Sequence, residues 1–395
     1  MNREEFIKKC ALMGVGISLA PSFLSSCKKD DLIDVNFSGN VIIIGAGSAG
    51  MMAAYTLNKY NIDFTVLEAS SIYGGRVKQT TTLADFPIDL GAEWIHDKPK
   101  IFSELIDDDS VEGSIDLIPY QPSTLYTWNN GKLSQHNWAS SFYGEYKFKS
   151  TTWYQFFENF IVPNLTDNVV YNSPVTSIDH SGSQVTVTDL DGNTYSADRV
   201  IVTVPLNILK SNYITFTPAF PQSKTDALAK TNMPDGLKIF IKFSQKFYPD
   251  ILTVTDLVGA TDAERIYYDG AFKKDTNDHV LALFNVGENA SEFTDLGSDE
   301  EIFAAAMADL DEMFDNKASQ YYLDHVVQNW TAEPFIQGAY SFGGDDYEST
   351  QIELSEPLSN KVYFAGEALD INSWATVHGA GLNGVSTAKT ILQNG

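Results

Sequence analysis

The sequence predicts an α/β fold, and three observations predict it. An apolar run, Val41-Ile42-Ile43-Ile44, ends in the glycine-rich turn Gly45-Ala46-Gly47-Ser48-Ala49-Gly50. A helix-like stretch over 51–57 and a second apolar run, Phe64-Thr65-Val66-Leu67, follow, and that run stops at the acid Glu68. Alternating, strand-like segments return over 175–205, and a final strand over 362–364 runs into a turn and a closing helix over 380–392.

The first of these blocks carries chemistry. Gly45 permits the tight turn, Gly47 lets backbone approach a pyrophosphate, and Gly50 lets helix pack on strand. The helix start offers unpaired N–H groups to phosphate oxygens. Glu68 lies about 20 residues on, where a carboxylate accepts hydrogen bonds from ribose hydroxyls. Strand, turn, helix, strand and acid together read as a dinucleotide site; they leave the nicotinamide and flavin dinucleotides both open. Gly74-Gly75-Arg76, just past the acid, adds a second backbone donor set and a guanidinium suited to the same pyrophosphate. A nicotinamide unit does not need them. Arg76 reads otherwise as a surface ion pair.

The remaining elements follow in order. Residues 101–165 are rich in aromatic and polar residues, with Trp153-Tyr154-Gln155-Phe156-Phe157 on a helix. Strands are expected at Val175-Thr176-Ser177-Ile178, over 184–188 and at Thr194-Tyr195-Ser196-Ala197, with Asp191-Gly192 as a hairpin turn. A buried strand is expected over 199–205, another from Lys238 to Phe243, and an apolar-periodic helix over 302–314.

Bulk properties bound the function. At 395 residues the chain holds two domains, or one large unit with an insertion. A formal net charge of −26 repels phosphate backbones and excludes nucleic-acid binding. It suits cationic substrates such as polyamines, and equally a solubilising acidic surface. The start of the chain reads as a targeting segment: a charged n-region over 2–9, an apolar run over 11–24, then Leu24-Ser25-Ser26-Cys27, which resembles a bacterial lipobox. This predicts a signal peptide over 1–26, a lipid anchor on Cys27 and an exported protein, periplasmic or on the cell surface. The n-region is similar to a twin-arginine signal with Glu4 in place of the second arginine. Lys28-Lys29-Asp30-Asp31 reads as a surface-export tag or a polar tether, and 27–38 as a linker. Cys10 and Cys27 are the two cysteines of the chain, so the mature domain has no disulfide and no thiolate nucleophile. The six histidines lack metal-ligand spacing, and no metal is expected.

From about Asn40 onward the motifs resemble, in order, those of the flavin amine oxidase family, which includes monoamine, polyamine and L-amino acid oxidases. Asp89-Leu90-Gly91-Ala92-Glu93-Trp94-Ile95-His96 is similar to the segment passing the flavin face. Val175 stands where the family contacts adenine, and Val202-Thr203-Val204-Pro205-Leu206 resembles the strand and turn beyond it. Gly236-Leu237-Lys238 resembles the segment whose lysine holds a water against flavin N5. Trp330, Glu333-Pro334 and Gly338-Ala339-Tyr340-Ser341 are similar to the flavin-packing and aromatic-cage segment. Phe364-Ala365-Gly366-Glu367 and Thr376-Val377-His378-Gly379-Ala380 resemble the C-terminal flavin motif. The resemblance implies FAD, in a glutathione-reductase-type Rossmann-like domain assembled from 39–105, 166–235 and 355–395. A mixed-sheet substrate domain with helices would come from 106–165 and 236–354.

The resemblance also implies roles. The FAD-binding set is Gly45, Gly47, Ser48, Ala49, Gly50, Glu68, Ala69, Gly75, Arg76, Gly91, Ala92, Glu93, Trp94, Val175, Trp330, Gly366, Glu367, Thr376 and Val377. Glu367 would reach ribityl or phosphate-bound groups, and the closing helix would aim its N-terminus at the flavin. Lys238, His96 and Tyr340 are the expected catalytic residues, Tyr340 as one wall of an amine-orienting cage. Ala339 stands where monoamine oxidases carry the flavin-linking cysteine, so FAD is expected to be non-covalent. Thr376 stands where the second cage aromatic is usual, with Trp374 as a possible substitute. The implied activity is oxidation of a small amine to an imine, then an aldehyde, with dioxygen as acceptor and hydrogen peroxide released. An amino acid oxidase would need a cation for the carboxylate, and Arg265 is the candidate. A desaturase or dehydrogenase of the same fold and a ligand-binding surface lipoprotein are the other readings.

Overall fold

Val41–Ile44 (β1) is buried along its whole length, which is why all four residues are apolar. The computed structural model describes residues 33–136, 145–255, 264–342 and 346–394; the expected signal peptide, Cys27 and the first part of the linker lie outside them. β1 pairs in parallel with Phe64–Leu67 (β2) on one side and with Arg199–Val202 on the other. Val362–Phe364 and Val169–Val170 extend this sheet at its two edges, giving five strands, all parallel. The strands therefore end on one edge, where Gly45, Glu68, Thr203 and Gly366 follow them. In open parallel sheets that edge is where ligands bind.

Ser48–Lys59 (α1) packs on this sheet and begins three residues earlier than the apolar periodicity suggests, because the turn closes at Gly47. Val377–Asn394 (α2) lies against α1 with the backbones in touch: a Cβ on Gly384 would sit 2.1 Å from the Ala49 carbonyl oxygen. The expected linker ends in contact with α2, since the Asn36 and Phe37 N–H groups both donate to the Leu392 carbonyl.

A four-stranded sheet of Val175–Asp179, Val185–Asp189, Thr194–Ala197 and Thr215–Thr217 stands beside the parallel one, with the Asp191-Gly192 turn where expected. The strand expected over 199–205 stops at Val202, and Pro205 instead precedes the short helix Leu206–Lys210. Trp153–Phe160 is helical, its start capped by Thr152 Oγ1 accepting from the Gln155 N–H at 3.1 Å.

The third sheet is mixed and has seven strands. Its order is Tyr322–Asn329, Gly236–Phe243 (β3), His279–Val286, Glu264–Asp269, Ile251–Val254, Leu125–Asn129 and Lys132–His136. Only β3 was foreseen from the sequence. Its central neighbours are buried on both faces, so they lack the alternation that marks a half-exposed strand. Asp299–Met313 covers one face through Ile302, Ala306 and Leu310, packed with Leu281 and Leu283. Ser298 caps that helix, and three acids in its first turn complement its dipole.

Candidate active site

A cavity of about 440 Å³ runs from the carboxyl edge of the parallel sheet to the face of the seven-stranded sheet. Its first part is a backbone cradle. A Cβ on Gly50 would lie 1.9 Å from the Gly45 carbonyl oxygen, so helix and strand touch there, and Gly50 itself lies off the cavity wall. Gly47 is different. Its φ and ψ, −77° and −174°, suit any residue, and a Cβ there would meet only the Gly74 carbonyl, at 3.9 Å. Nothing in the protein demands glycine at 47; the space beside it belongs to the cavity. α1 has no side-chain cap, and its first residues Ser48 and Ala49 line the wall, so its first N–H groups are available to an anion. Gly75 closes the same cradle.

Glu68, Ala69 and Val175 line one end of this cradle. Glu68 Oε2 accepts the Ala46 N–H at 2.6 Å and Oε1 the Ser70 N–H at 2.8 Å. Each oxygen keeps a lone pair for a ribose hydroxyl. Burial pushes the Glu68 carboxyl up, against the pull of those N–H groups. At the other end Gly91, Ala92, Gly366, Trp330, Thr376 and Val377 line the wall. Trp330 is fixed by its indole N–H, which donates to the Leu90 carbonyl at 3.1 Å. Thr376 Oγ1 accepts the Gly379 N–H at 2.9 Å and so caps the start of α2. Ser48 Oγ donates to the Val377 carbonyl at 2.8 Å, which ties the two helix starts to one cavity.

Glu367 lines the cavity, and protein groups hold its carboxylate. Oε1 accepts from Arg76 Nη1 at 2.9 Å, and both oxygens accept from Ser341, Oε2 from its hydroxyl at 2.6 Å. Glu367 is the anchor of Arg76, which also donates to the Ala339 carbonyl at 3.0 Å. Arg76 remains on the cavity wall.

The far end of the cavity is built from charged side chains. Lys238, on β3, is buried, and its Nζ lies 2.9 Å from Glu93 Oε2. Glu93 lines the cavity, and both of its oxygens have protein partners, Oε1 in Lys147 Nζ at 2.6 Å and Oε2 in Lys238 and the Tyr268 hydroxyl. Burial drives the Glu93 carboxyl up, but the two lysines overcome this and hold it near pKa 2. Burial lowers Lys238 below the usual lysine value, with Glu93 opposing. Trp94 lines the cavity as part of this group, with Lys147 and Lys238 at 5.2 and 5.4 Å from its ring centre.

His96 is on the wall, its Nδ1 2.6 Å from the buried Glu145 carboxylate. Tyr340 also lines the cavity and lies parallel to Phe284, their planes 4° apart and centres 6.3 Å apart. Phe284 is thus the second aromatic on this side. Trp374 packs edge-on against Tyr347, off the cavity, and does not replace the aromatic absent at Thr376. Arg265 is likewise no clamp for a substrate carboxylate: it is paired with Glu292 and lies 3.6 Å from Asp309, away from the cavity wall.

A glycine cradle with two helix starts is one half of this cavity, and a buried lysine facing aromatic rings is the other. Residues 158–392 match the family described as flavin containing amine oxidoreductase, and residues 43–108 match the NAD(P)-binding Rossmann-like domain. The chain belongs to the flavin containing amine oxidoreductase family. FAD is therefore the dinucleotide that the cradle binds, and the open space at Gly47, the Glu68 carboxylate and Arg76 fit it. Among curated relatives of this oxidoreductase chain, lysine-specific histone demethylase 2 of Homo sapiens is 26% identical over 89% of the chain. Probable polyamine oxidase 4 of Arabidopsis thaliana is 25% identical over 90% of it. The chain spans 53% of the demethylase's length and 87% of the plant protein's. Among solved structures, a redesigned putrescine oxidase superposes with a TM-score of 0.76 at 17% identity, covering 91% of this chain and 99% of that one. Cyclohexylamine oxidase from Brevibacterium oxydans gives 0.74 at 17%, covering 90% and 99%. These likenesses show the shared fold.

Sequence reasoning missed Lys147, Tyr268, Glu145, Phe284 and Ser341. The first four lie in the aromatic block or in unforeseen strands, with no spacing that links them to Glu93, His96 or Tyr340; Ser341 closes a matched motif, but nothing in the sequence ties it to Glu367.

Proposed function

We propose that this protein is an FAD-dependent amine oxidase acting on small amines. The observation that carries the reading is a single cavity that joins the phosphate cradle to Lys238 and to the parallel rings of Tyr340 and Phe284. FAD, held along the cradle of Gly47, Glu68, Gly75 and Arg76, would supply the two-electron acceptor between amine and dioxygen. The amine loses two electrons and two protons as its α-carbon–hydrogen and N–H bonds break and a C=N bond forms. Water then hydrolyses the imine to an aldehyde and ammonia or a smaller amine. Dioxygen takes up the two electrons and two protons and leaves as hydrogen peroxide.

The chain's residues position and charge these events. Tyr340 and Phe284 wall the amine into one orientation. His96, paired through Nδ1 with Glu145, stands on the wall as the group that would take the ammonium proton, so that the amine reacts neutral. Lys238 supplies a proton-bearing cation at the reactive end. With Arg265 committed to Glu292 and Asp309, amines are favoured over amino acids. No cysteine follows Cys27, and Ala339 stands at the position of the flavin-linking cysteine, which supports non-covalent FAD. Export and lipid anchoring through Cys27 belong to the same proposal. In an expressing bacterium, labelled fatty acid should enter the wild type and not Cys27→Ser.

The activity is tested by mixing purified protein anaerobically with a panel of mono-, di- and polyamines. Bleaching of the oxidised flavin's visible absorption by at least one amine supports it. Bleaching by amino acids and by no amine, or a colourless protein, overturns it.

A further inference from the structure

Glu93 stands between two buried lysines. Lys147 and Lys238 contact its two oxygens at 2.6 and 2.9 Å, and the Tyr268 hydroxyl donates to the oxygen that Lys238 uses. All four side chains are buried. Around Lys147 Nζ stand the rings of Tyr268, Trp94 and Tyr120, at 4.7, 5.2 and 5.4 Å from their centres. Around Lys238 Nζ stand Phe240, Trp94 and Tyr268, at 5.3, 5.4 and 5.6 Å. One carboxylate serves two ammonium groups. The cluster carries surplus positive charge, spread over aromatic faces that stabilise it.

The two neighbours of Lys238 act on it in opposite senses. A carboxylate at hydrogen-bond distance favours the ammonium form, whereas a second ammonium a few ångströms further disfavours it. We propose that Glu93 is a positioning residue: it fixes the Lys238 ammonium on the cavity wall and, because it is shared with Lys147, sets how firmly Lys238 holds its charge. The proposal rests on the reading of Lys238 as the lysine of the reactive end. A Lys–Glu pair alone would be neutral. The second lysine leaves a net cation beside the place where dioxygen gathers electrons, and a fixed cation in a water-poor site stabilises charge that develops there.

The other groups that face Lys238 are accounted for. Asp89 lies near it, and burial followed by the Glu93 charge pushes that carboxyl well up. Tyr268 is driven up by burial and then by Glu93, so it stays a donor. The residues opposite Lys238 on the flanking strands, Phe284 and Gln328, carry no charge. Lys274, one layer out, is lowered to about 8 by burial and then by Lys147.

The test uses the full protein with carbon-13 at the lysine ε carbons, titrated by NMR, with the Lys238 signal assigned by its loss in Lys238→Met. Glu93→Gln should move the Lys238 titration to lower pH by about one unit or more. Lys147→Met should move it to higher pH, because the carboxylate then serves Lys238 alone. Glu93→Asp should recover part of the first shift. In FAD-loaded protein the alkaline limb of the reoxidation rate with dioxygen should follow the same two directions, and the Glu93→Gln effect should vanish in the Lys238→Met background. Shifts of the same sign in both variants, or an unmoved Lys238 titration in Glu93→Gln, would overturn the proposal. Should Glu93→Gln fail to fold, a downward or null shift in Lys147→Met overturns it alone. A wild type that no amine reduces defeats the oxidase reading, yet the two titration shifts still stand or fall separately.

Discussion

At the sheet edge the cavity is made of backbone. Gly45, Gly47 and Gly75 and the starts of α1 and α2 line it, each from a segment close to its own motif. At the opposite end it is made of side chains brought together from afar: Glu93, Lys147, Lys238 and Tyr268 meet across separations of up to 175 residues. The first end needs shape, since a pyrophosphate is held by any well-placed N–H group. The second needs particular charges in particular places, and a buried charge is costly unless its partner is present. Loss of one backbone shape should therefore abolish cofactor binding, whereas loss of one charge at the second end should leave binding and alter reactivity.

The largest effects belong to the cradle. Gly50→Val should prevent both stable folding and FAD retention, because even its Cβ collides with the Gly45 carbonyl. Gly47→Val is the sharper case. It should leave the apoprotein's melting temperature unchanged, since the backbone there suits valine, and still abolish flavin absorbance in the purified protein. A Gly47→Val protein that purifies yellow would break the distinction between the two ends.

At the reactive end, Lys238→Met should keep FAD and reduce turnover by about 100-fold or more, the range for loss of a positioned proton-bearing group. Steady-state peroxide assays check this against flavin content. Back at the cradle, Glu367→Gln should weaken FAD by about tenfold or more, because it leaves Arg76 without its charged acceptor. Flavin fluorescence titration of the apoprotein reads that loss. Tyr340→Leu should cost about tenfold in amine turnover per KM with FAD binding intact.

The smallest expected effect is on stability. His378 is buried beside the cavity at the start of α2, its Nδ1 without a hydrogen-bond partner among the described residues. Burial, then the neighbouring His96, lowers its pKa to about 3. The unfolded chain therefore takes up a proton between pH 6.5 and 3 that the folded chain refuses, and stability falls as pH falls through that window. His378→Gln should flatten that part of the melting-temperature profile.

The same contrast explains what the sequence discloses. Val41–Ile44, the glycine turn and Glu68 form one short run, and each has a physical requirement that spacing alone expresses. The strands of the parallel sheet follow from short apolar runs, and the helices expected over 51–57, 153–157, 302–314 and 380–392 are all present with longer or shifted ends. The seven-stranded sheet was largely hidden, because strands buried on both faces show no alternation. Glu93 and Glu367 line the cavity that the sequence assigns them to, but their protein partners, Lys147, Lys238 and Tyr268 for one and Arg76 and Ser341 for the other, are not legible in it. A carboxylate beside a motif is legible, whereas the lysine or arginine that folding brings to it is not. Arg265 was proposed as a substrate clamp for the same reason: Glu292 and Asp309 are invisible as its partners until the chain folds.

The oxidase account is tested most directly by the stoichiometry of one aerobic turnover. The purified flavoprotein is given a limiting amount of the amine that bleaches it best, and aldehyde and peroxide are counted. The account predicts one aldehyde and one hydrogen peroxide per amine, with both lost together in Lys238→Met. Flavin that every amine leaves oxidised, or aldehyde formed without peroxide while dioxygen is present, would contradict it.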